Sequence, residues 1–264
     1  MTDTVKTASS VFQPLFGSDK FYWHGYIDFY EQFFSSRSFS KIAEIGIFHG
    51  DSIRWLLHRF PQATIYGADI LPIQSEWPVD ARFHASQLDQ EHRTQLNAFF
   101  KSCGILDLII EDGSHQPRHQ VNTLLAGLPQ LQTNGVYILE DIQTSLPKHS
   151  LMQTKSKRWF SSKPKSIIGT ALSALLAINH YRAINVSLTQ TMALEIARHS
   201  LLTADEILML DRQIGGIHLY RRTSLPQKCH HCGSIHYQFN QFLCVCGAEI
   251  FSDTDSMSFV LIKK

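Results

Sequence analysis

The sequence predicts an α/β fold: a Rossmann-like, doubly wound and mostly parallel sheet with an antiparallel edge hairpin that carries a small cysteine-rich insert. Three features predict it, namely continuous apolar strands, amphipathic helices that alternate with them, and four cysteines between two late strand-like stretches. Strands that are apolar along their whole length are typical of a parallel sheet covered on both faces. The 264-residue chain is 44% hydrophobic, which is enough apolar mass for such a core.

Four strands and the helices between them follow in order along the first half of the chain. The predicted strands are 41–47, 63–70, 105–114 and 135–142. The predicted helices are 51–60, 91–103 and 119–131, and the first places Ile53, Leu56, Leu57 and Phe60 on one face. The aromatic segment 21–36 is expected to be a helix or a lid, and 166–179 an apolar helix. The stretches 216–222 and 257–264 are predicted to pair as the antiparallel edge.

Composition and charge exclude some classes of protein. Lysine and arginine number 24 and aspartate and glutamate 23, so the formal net charge is +1. A dedicated nucleic-acid-binding protein usually carries a clear basic excess, and this balance argues against one. No uncharged apolar run reaches the roughly 18 residues that a transmembrane helix needs. The first residues, MTDTVKTASSVF, lack the apolar core of a signal peptide, so a cytoplasmic protein is expected.

The turn after the first predicted strand has the pattern of a cofactor-binding loop. It reads Glu44-Ile45-Gly46-Ile47-Phe48-His49-Gly50-Asp51-Ser52, or E-x-G-x-x-x-G. A dinucleotide fingerprint needs its glycines closer together, so that a pyrophosphate can reach the helix N-terminus. Ile47 occupies one of those glycine positions, and a ligand of this loop therefore need not carry phosphate.

Acidic and amide side chains follow at the next strand ends. Asp69 ends the second strand, where a carboxylate can accept hydrogen bonds from both hydroxyls of a ribose. Gln87 and Asp89 follow in a segment that is expected to be a loop covering an adenine ring. Glycine loop, ribose acid and adenine loop in this order predict S-adenosylmethionine as the ligand. The alternative is a glycine turn, a helix cap and a surface acid.

Three carboxylates are expected to converge at the carboxyl edge of the sheet. Asp112 ends the third apolar strand, and Glu140 and Asp141 end the fourth. Ligands bind at this edge of open parallel sheets, and clustered carboxylates repel one another unless a cation neutralises them. Mg²⁺ favours oxygen ligands, leaves positions open for a substrate hydroxyl and makes its proton easier to remove. The alternative is that one acid caps a helix and the others are solvated.

Removal of a hydroxyl proton also needs a base. His115 is the nearest histidine to Asp112 along the chain, and these two residues are the predicted catalytic pair. The other candidates for the base are His149, His180 and His218. Alternatively, His115 fixes its loop by hydrogen bonding to the backbone.

The four late cysteines have the spacing of a metal site. Cys229-x-x-Cys232 and Cys244-x-Cys246 supply four thiolates, the number that closes a tetrahedral, zinc-ribbon-like site. Four thiolates leave no open position, so the predicted zinc is structural and would supply most of the insert's folding energy. Two disulfides or buried thiols are the alternatives, and a histidine could replace one cysteine. The histidines in question are His230, His231 and His236.

Two further segments leave alternatives open. Residues 155–166 interleave basic side chains with Trp159 and Phe160, which indicates either a solvated loop or a patch for a membrane surface or an anionic substrate. The apolar residues 167–178 are expected either to line a substrate pocket or to form a contact in a homo-oligomer.

The run EIGIFHGDSIRWLLHRFPQATIYGADI, residues 44–70, resembles the first half of class I S-adenosylmethionine-dependent methyltransferases. The resemblance is closest to the metal-dependent sugar and macrolide-sugar O-methyltransferases. Its other motifs are the lead-in Gly17-Ser18-Asp19-Lys20 with His24, Tyr26 and Tyr30, then EDGSH at 111–115 and LEDIQTS at 139–145. The resemblance covers roughly residues 16–145, and the cysteine insert departs from it.

The resemblance implies a role for each matching residue. Gly46, Gly50 and Ser52 would surround the methionine part of the cofactor, and Glu44 would also bind the cofactor. Asp69 would bind the ribose, and Gln87 and Asp89 would lie near the adenine. Tyr26 would close over the cofactor, and Glu111 would face it. Asp112, Glu140 and Asp141 would hold Mg²⁺.

These features predict a metal-assisted S-adenosylmethionine-dependent O-methyltransferase. The expected acceptor is a sugar hydroxyl, free, on a natural product or in a surface glycan. The alternatives are a methyltransferase of another hydroxylated small molecule, such as a catechol, and a non-catalytic module whose zinc insert binds a partner. The predicted division is an N-terminal arm and aromatic lid at 1–40, a cofactor-binding core at 41–222 with a variable substrate-covering segment at 146–200, the cysteine insert at 223–256 and a final core strand at 257–264.

Overall fold

The computed structural model describes residues 17–147, 149, 168–249 and 256–264, and this part of the chain contains one large sheet. Its strands are β1 (Lys41–Ile45), β2 (Thr64–Asp69), β3 (Phe83–Gln87), β4 (Leu106–Glu111), β5 (Leu131–Leu139), β6 (Ile214–Arg221) and β9 (Met257–Lys263). They lie in the order β3-β2-β1-β4-β5-β9-β6. Strands β1 to β5 are parallel, and β9 is antiparallel to both β5 and β6. The predicted fold class is confirmed.

Helices cover both faces of this sheet. They are α1 (Asp19–Tyr22), α2 (Tyr26–Phe34), α3 (Asp51–Arg59), α4 (Arg93–Cys103), α5 (Pro117–Gly127), α6 (Ala171–Ala183), α7 (Gln190–Ala197) and α8 (Ala204–Gln213). One core joins the sheet to α4, α5, α6 and α8 through buried side chains such as Phe100, Leu124 and Leu175. The other core joins it to α2 and α3 through Tyr30 and Trp55. Burial of these apolar faces is the main force that assembles the layers.

The structure differs from the sequence-based expectation at one sheet edge and in the last third of the chain. Residues 83–87 form strand β3, where the sequence indicates a loop that contains Gln87 and Asp89. This edge strand is polar and partly exposed, so it lacks the apolar run that identifies a central strand. Helices α7 and α8 were also not predicted. The predicted helix 166–179 begins at Ala171, where Thr170 and Ser173 form a capping box.

The two late strands pair as predicted. Leu219 of β6 lies opposite Phe259 of β9 in an antiparallel ladder. Strand β9 lies between β5 and β6, and its first five side chains are buried, whereas the partly exposed β6 forms the edge. The cysteine insert leaves from the connection between these strands and contains the short antiparallel pair β7 (Tyr237–Gln238) and β8 (Leu243–Cys244).

Two predictions fall on residues that the structure does not describe. The basic segment 155–166 lies outside the described residues, as does the N-terminal arm up to residue 16. Within the described ranges, every helix is too short or too polar to cross a membrane.

Candidate active site

The carboxyl ends of β1, β4 and β5 bring four acidic side chains to one edge of the sheet. These strands are parallel neighbours in continuous register there. Glu44 lies in β1, Asp112 directly follows β4, and Glu140 and Asp141 directly follow β5. In an open α/β sheet, this edge is where ligands bind.

A buried lysine lies among these acids. The Nζ of Lys20 donates hydrogen bonds to Oδ2 of Asp112 and, at 2.7 Å, to Oε2 of Glu140. It lies 3.7 Å from Oε1 of Glu44, and the residue is only 2% exposed. Burial disfavours the charged form of Lys20, but the three carboxylates outweigh this effect and hold its pKa well above the usual value. Lys20 is therefore a fixed positive charge inside an acidic cluster.

Sequence reasoning quoted Lys20 as part of a motif but assigned it no role. The residue lies in the short helix α1, whose first turn is capped by Ser18, with 3.3 Å between the serine Oγ and the backbone nitrogen of Lys20. A signal was available in the sequence. Several acids expected at one buried edge require a cation, and Lys20 stands immediately before the aromatic segment that covers the sheet.

Some carboxylate oxygens of this site contact Lys20, and others face His115. Asp112 and Glu140 each use one oxygen for Lys20. The other oxygen of Asp112, Oδ1, lies 3.9 Å from Nδ1 of His115, whose Nε2 lies 3.5 Å from Oδ2 of Asp141. One ligand atom from each of Asp112, His115 and Asp141 can be chosen so that all lie within 4.8 Å of one another. Glu140 is not part of this converging group; Lys20 holds its Oε2, and its Oε1 has no hydrogen-bond partner.

Backbone strain is concentrated in the two loops that present this group. His115 has φ 54° and Asp141 has φ 51°, in the left-handed region that non-glycine residues rarely adopt. The Thr144 hydroxyl donates to the carbonyl of His115 at 2.7 Å. The Asp141 carboxylate accepts from the Tyr26 hydroxyl at 2.7 Å and from Nε2 of Gln143 at 3.0 Å. Strain held by its surroundings in this way is typical of functional sites.

Tyr26 is buried and points at the acids. Besides Asp141, its hydroxyl contacts the carbonyl of Met257 at 3.1 Å, and its ring stacks between those of His24 and Tyr30. The described contacts make Tyr26 a positioning residue for Asp141. Its expected closure over a cofactor stays a prediction.

The protonation of the acids follows from burial and from their neighbours. Burial and the nearby Asp112 carboxylate raise the pKa of Glu140 well above its usual value, and burial also raises the pKa of Asp112. For Asp141, burial acts in the same direction, but His24 and His115 outweigh it and lower its pKa. The site therefore holds at least one firmly ionised carboxylate next to His115.

The glycine loop lies directly beside this group. Gly46 has φ 96°, and a Cβ at this position would collide with the carbonyl oxygen of Asp112. Only glycine allows the two loops to approach so closely. At the next strand, Oδ2 of Asp69 accepts from the amides of Ile47 and Phe48 at 2.7 and 3.0 Å. Asp69 thus fixes the loop, and its expected bond to a ribose stays a prediction.

Glu44 lies in β1 before the same loop, and Gly50 and Ser52 lie at the end of the loop and in the first turn of α3. Gly50 has φ 79° and begins helix α3. The Ser52 hydroxyl donates to Oε1 of Glu44, while Oε2 of Glu44 is buried and has no hydrogen-bond partner. Burial raises the pKa of Glu44 to about 7.

Gln87 and Asp89 lie at the end of β3. Gln87 is the register partner of Asp69, and its amide donates to the carbonyl of Ile70 at 3.0 Å. Oδ1 of Asp89 accepts from the amide of Glu91 at 2.9 Å. The two residues are therefore next to the predicted ribose acid, and their contact with an adenine stays a prediction.

Gln90 is a buried residue that sequence reasoning missed. Its amide donates to Oε1 of Glu111 at 2.7 Å and to the Thr123 hydroxyl at 2.9 Å, while its oxygen accepts from the amide of Ser114 at 2.9 Å. Oε2 of Glu111 has no hydrogen-bond partner, and burial raises the pKa of Glu111 to about 7. Gln90 thus orients Glu111 and ties its own loop to the one after β4.

The four cysteines form a second cluster, in the insert. All are free thiols, and their sulfurs lie within 4.8 Å of one another. The Sγ atoms of Cys229 and Cys246 are 3.9 Å apart, and those of Cys232 and Cys244 are 3.5 Å apart. A disulfide needs about 2.05 Å. A tetrahedron with Zn–S bonds of about 2.3 Å has sulfurs about 3.8 Å apart. The geometry fits a zinc ion and excludes disulfides.

Four buried polar atoms at the strand-end site have no hydrogen-bond partner, and their chemistry indicates which ligands the site suits. They are Oε2 of Glu44, Oε2 of Glu111, Nδ1 of His115 and Oε1 of Glu140. Such atoms normally have partners in a folded protein, so each needs an explanation. Oxygen and imidazole donors around a surplus of negative charge fit a divalent cation, and the glutamate oxygens fit hydrogen-bond donors of a ligand.

The structure therefore brings most of the predicted site residues together. The residues gathered at this edge are Tyr26, Glu44, Gly46, Gly50, Ser52, Asp69, Glu111, Asp112, His115, Glu140 and Asp141, with Gln87 and Asp89 at the neighbouring strand end. His218, one of the other candidates for the base, lies on edge strand β6 against Phe33. The ligand and catalytic roles of all these residues stay predictions.

The raised pKa of Glu111 predicts a pH-dependent stability. Its folded pKa of about 7 lies above the ordinary 4.5, so its stabilising contribution is complete below pH 4.5 and is lost as pH rises through about 7. Glu111→Gln should therefore increase the free energy of unfolding by on the order of 2 kcal/mol at pH 8 and have little effect near pH 4.5. Urea unfolding of the ligand-free protein at both pH values measures this. The exposed Glu249→Gln is the matched control, and a gain that did not grow with pH would contradict the assignment.

Comparison with known proteins shows what this chain is similar to. Residues 43–142 match the family model described as a methyltransferase domain. The 8-demethyl-8-alpha-L-rhamnosyl tetracenomycin-C 2'-O-methyltransferase of Streptomyces olivaceus is 32% identical over 139 residues, which are 49% of this chain and 36% of that protein. The mycinamicin VI 2''-O-methyltransferase of Micromonospora griseorubida is 24% identical over 238 residues, which are 86% of this chain and 52% of that protein.

A solved structure shares the fold. MycE methyltransferase from the mycinamycin biosynthetic pathway, in complex with Mg, SAH and mycinamycin VI, has a TM-score of 0.60 and 23% identity, covering 82% of this chain and 52% of that chain. This chain spans about half or less of the length of these relatives. The resemblance indicated by the sequence is confirmed: residues 43–142 match the methyltransferase-domain family model, and the described strands form a Rossmann-like sheet.

Proposed function

We propose that the chain is an S-adenosylmethionine-dependent, Mg²⁺-assisted O-methyltransferase whose acceptor is a sugar hydroxyl of a glycosylated natural product. The observation that carries this proposal is the convergence of Asp112, His115 and Asp141 directly beside the Gly46 loop. The names of the relatives support it, since both are O-methyltransferases of glycosylated compounds. The Mg and SAH in the structure that shares the fold support the two cofactors.

The residues proposed to hold Mg²⁺ are Asp112 and Asp141, with Glu140 as a third carboxylate. When bound, the ion would supply a Lewis acid that makes the acceptor hydroxyl easier to deprotonate. Lys20 already neutralises one charge of the cluster, and it leaves Oδ1 of Asp112 and Oε1 of Glu140 free to face a cation. The lysine thus sets how much negative charge the ion encounters.

His115 is the proposed base, and its ring is oriented for this role. Its Nε2 faces Oδ2 of Asp141, which favours the tautomer with the proton on Nε2. Its Nδ1 is buried and has no hydrogen-bond partner, so this atom is the proposed proton acceptor. Asp141 is itself fixed by Tyr26, and the pair therefore holds the base in one orientation.

The proposed cofactor cleft is formed by the loops after β1, β2 and β4. S-adenosylmethionine would supply the methyl group on its sulfonium, and the transfer needs alignment with the acceptor oxygen and no covalent intermediate on the enzyme. Gly46 allows close approach to the loop backbone, and the unpartnered oxygens of Glu44 and Glu111 are proposed to accept hydrogen bonds from the cofactor. Asp69 is proposed to bind the ribose.

The comparisons do not favour the other two functions considered, a catechol methyltransferase and a non-catalytic module. The cytoplasmic location, the lack of nucleic-acid binding, the oligomeric state and the domain boundaries stay predictions.

The cysteine cluster is proposed to hold one structural zinc ion. Cys229 and Cys244 are buried and Cys232 and Cys246 exposed, so the ion would be enclosed on its inner side only. Hydrogen bonding to the backbone of Ala248 and to neighbouring sulfurs lowers the pKa of Cys246 to about 7, which favours the thiolate that a metal needs. The insert has a core of only a few residues, so the ion would stabilise its fold.

Substitution of one proposed Mg²⁺ ligand tests the function. Asp141→Asn should reduce methyl transfer by at least about 100-fold, since a catalytic metal contributes several kcal/mol to transition-state stabilisation. The affinity for S-adenosylhomocysteine should remain nearly unchanged. Turnover is measured with labelled methyl donor and a panel of glycosylated acceptors, and cofactor affinity by calorimetry. The exposed Asp205→Asn is the matched control. Full turnover in excess chelator, or loss of cofactor binding instead of turnover in Asp141→Asn, would contradict the proposal.

Metal content tests the cysteine site. Purified protein should contain about one zinc per chain, and Cys246→Ser should lose most of it because a tetrahedral site needs four ligands. Cys103→Ser, which alters a buried thiol in helix α4 instead, should retain the zinc. Elemental analysis of the three proteins measures this, and wild-type protein without zinc would contradict the assignment.

A further inference from the structure

We propose that the cysteine insert is a positioning element for the active site, because it clamps helix α1 and thereby holds Lys20 and His24 beside the strand-end acids. The expected effect on turnover rests on the proposed function. The contacts between the insert and α1 can be measured whether or not the protein transfers methyl groups.

Helix α1 cannot hold its own position. It has four residues, whereas isolated helices shorter than about 12 residues are marginal in water. The amides of Trp23 and His24 both donate to the carbonyl of Asp19 at 2.9 Å. Yet this turn places Lys20 where it contacts three carboxylates. Its position must therefore be fixed from outside.

Lys20 and Phe21 fix one side of α1 through the acids and the Trp55 ring, and the segment around Cys229 contacts its end. The amide of Gln227 donates to the carbonyl of Tyr22 at 2.8 Å. The Nζ of Lys228 lies 4.1 Å from the centroid of the Tyr22 ring, and the ring of His230 lies 5.7 Å from that of Trp23. Three residues within two positions of a cysteine ligand thus contact the end of α1.

The two ends of the insert supply the second set of contacts. The guanidinium carbon of Arg222 lies 4.9 Å from the centroid of the Trp23 ring, and its Nε donates to the Ser256 hydroxyl at 3.3 Å. The same hydroxyl lies 2.8 Å from Nδ1 of His24. Arg222 and Ser256 are also joined by a backbone hydrogen bond of 3.0 Å, which closes the base of the insert. The base of the insert is therefore bonded directly to His24, whose Nδ1 lies 3.9 Å from Oδ1 of Asp141.

The cysteine cluster fixes the segment that makes these contacts. Cys229 is buried against Leu225 and Tyr237, and the Tyr237 hydroxyl donates to the carbonyl of Pro226 at 2.9 Å. A cleft of about 290 Å³ lies between the base of the insert and helices α1 and α2. The boundary between the insert and these helices is therefore not densely packed. The contacts between the insert and α1 depend on the geometry that the four sulfurs impose. Without zinc, no common ligand holds the four sulfurs together, and the contacts between the insert and α1 should weaken.

Hydrogen exchange on the full chain tests the clamp. Cys246→Ser, which removes one sulfur on the exposed side of the cluster, should speed amide exchange at residues 19–24 by at least about tenfold, since local opening sets these rates. Exchange in β1 and β4 should stay as in wild type, and Cys103→Ser should change neither region. Loss of zinc with unchanged exchange at residues 19–24 would overturn the proposal, as would wild-type protein that contains no zinc.

A substitution at the contact between the insert and α1 tests the proposal without changing a cysteine. His230→Ala should retain zinc yet speed exchange at residues 19–24 several-fold, whereas His231→Ala, which leaves the contact between His230 and Trp23 in place, should not. His230→Phe should restore protection because it keeps the ring contact with Trp23. Equal exchange in His230→Ala and His231→Ala would overturn the proposal. If exchange responds as expected but no acceptor is methylated, the positioning role is supported and the proposed function fails.

Discussion

Four carboxylates at one buried sheet edge repel one another, and the Lys20 ammonium is the counter-charge that the structure places among them. Its hydrogen bonds to Asp112 and Glu140 join the loops after β4 and β5 to a helix from the N-terminal part of the chain. One ammonium cannot neutralise four acids. The remaining negative charge and the unpartnered oxygens make this edge suitable for a cation. The ligand atoms that converge belong to Asp112, His115 and Asp141, and Lys20 occupies the other side of the cluster.

The rigid sheet and the strained loops have different parts in this arrangement. Parallel strands in register bring the acids together, and the cores on both faces fix the strands. The loops then orient individual groups: left-handed backbone occurs at His115 and Asp141, whose side chains face each other, and Gly46 lets the loop after β1 approach the carbonyl of Asp112. Tyr26, Gln90 and Thr144 fix these loops through hydrogen bonds.

The sequence predicts those parts of the molecule that depend on local pattern. Apolar runs identify β1, β2, β4 and β5, and their last residues identify Asp112, Glu140 and Asp141, because the carboxyl edge of a parallel sheet follows from strand direction alone. The spacing of the cysteines likewise predicts their cluster. Strand β3 was missed because an edge strand needs no apolar run. The role of Lys20 was missed because its partners are 92 and 120 residues away, and only the packing of α1 brings them together.

A double-mutant cycle between Lys20 and Glu140, measured as the free energy of unfolding in urea, tests the central role of this lysine most directly. Lys20→Met should lose about 3–5 kcal/mol, since it leaves buried carboxylates uncompensated, and Lys20→Arg should lose less. In the Lys20→Met background, Glu140→Gln should recover part of the loss, with a coupling of at least about 1 kcal/mol. Lys20→Met with wild-type stability, or additive effects of the two substitutions, would contradict the account.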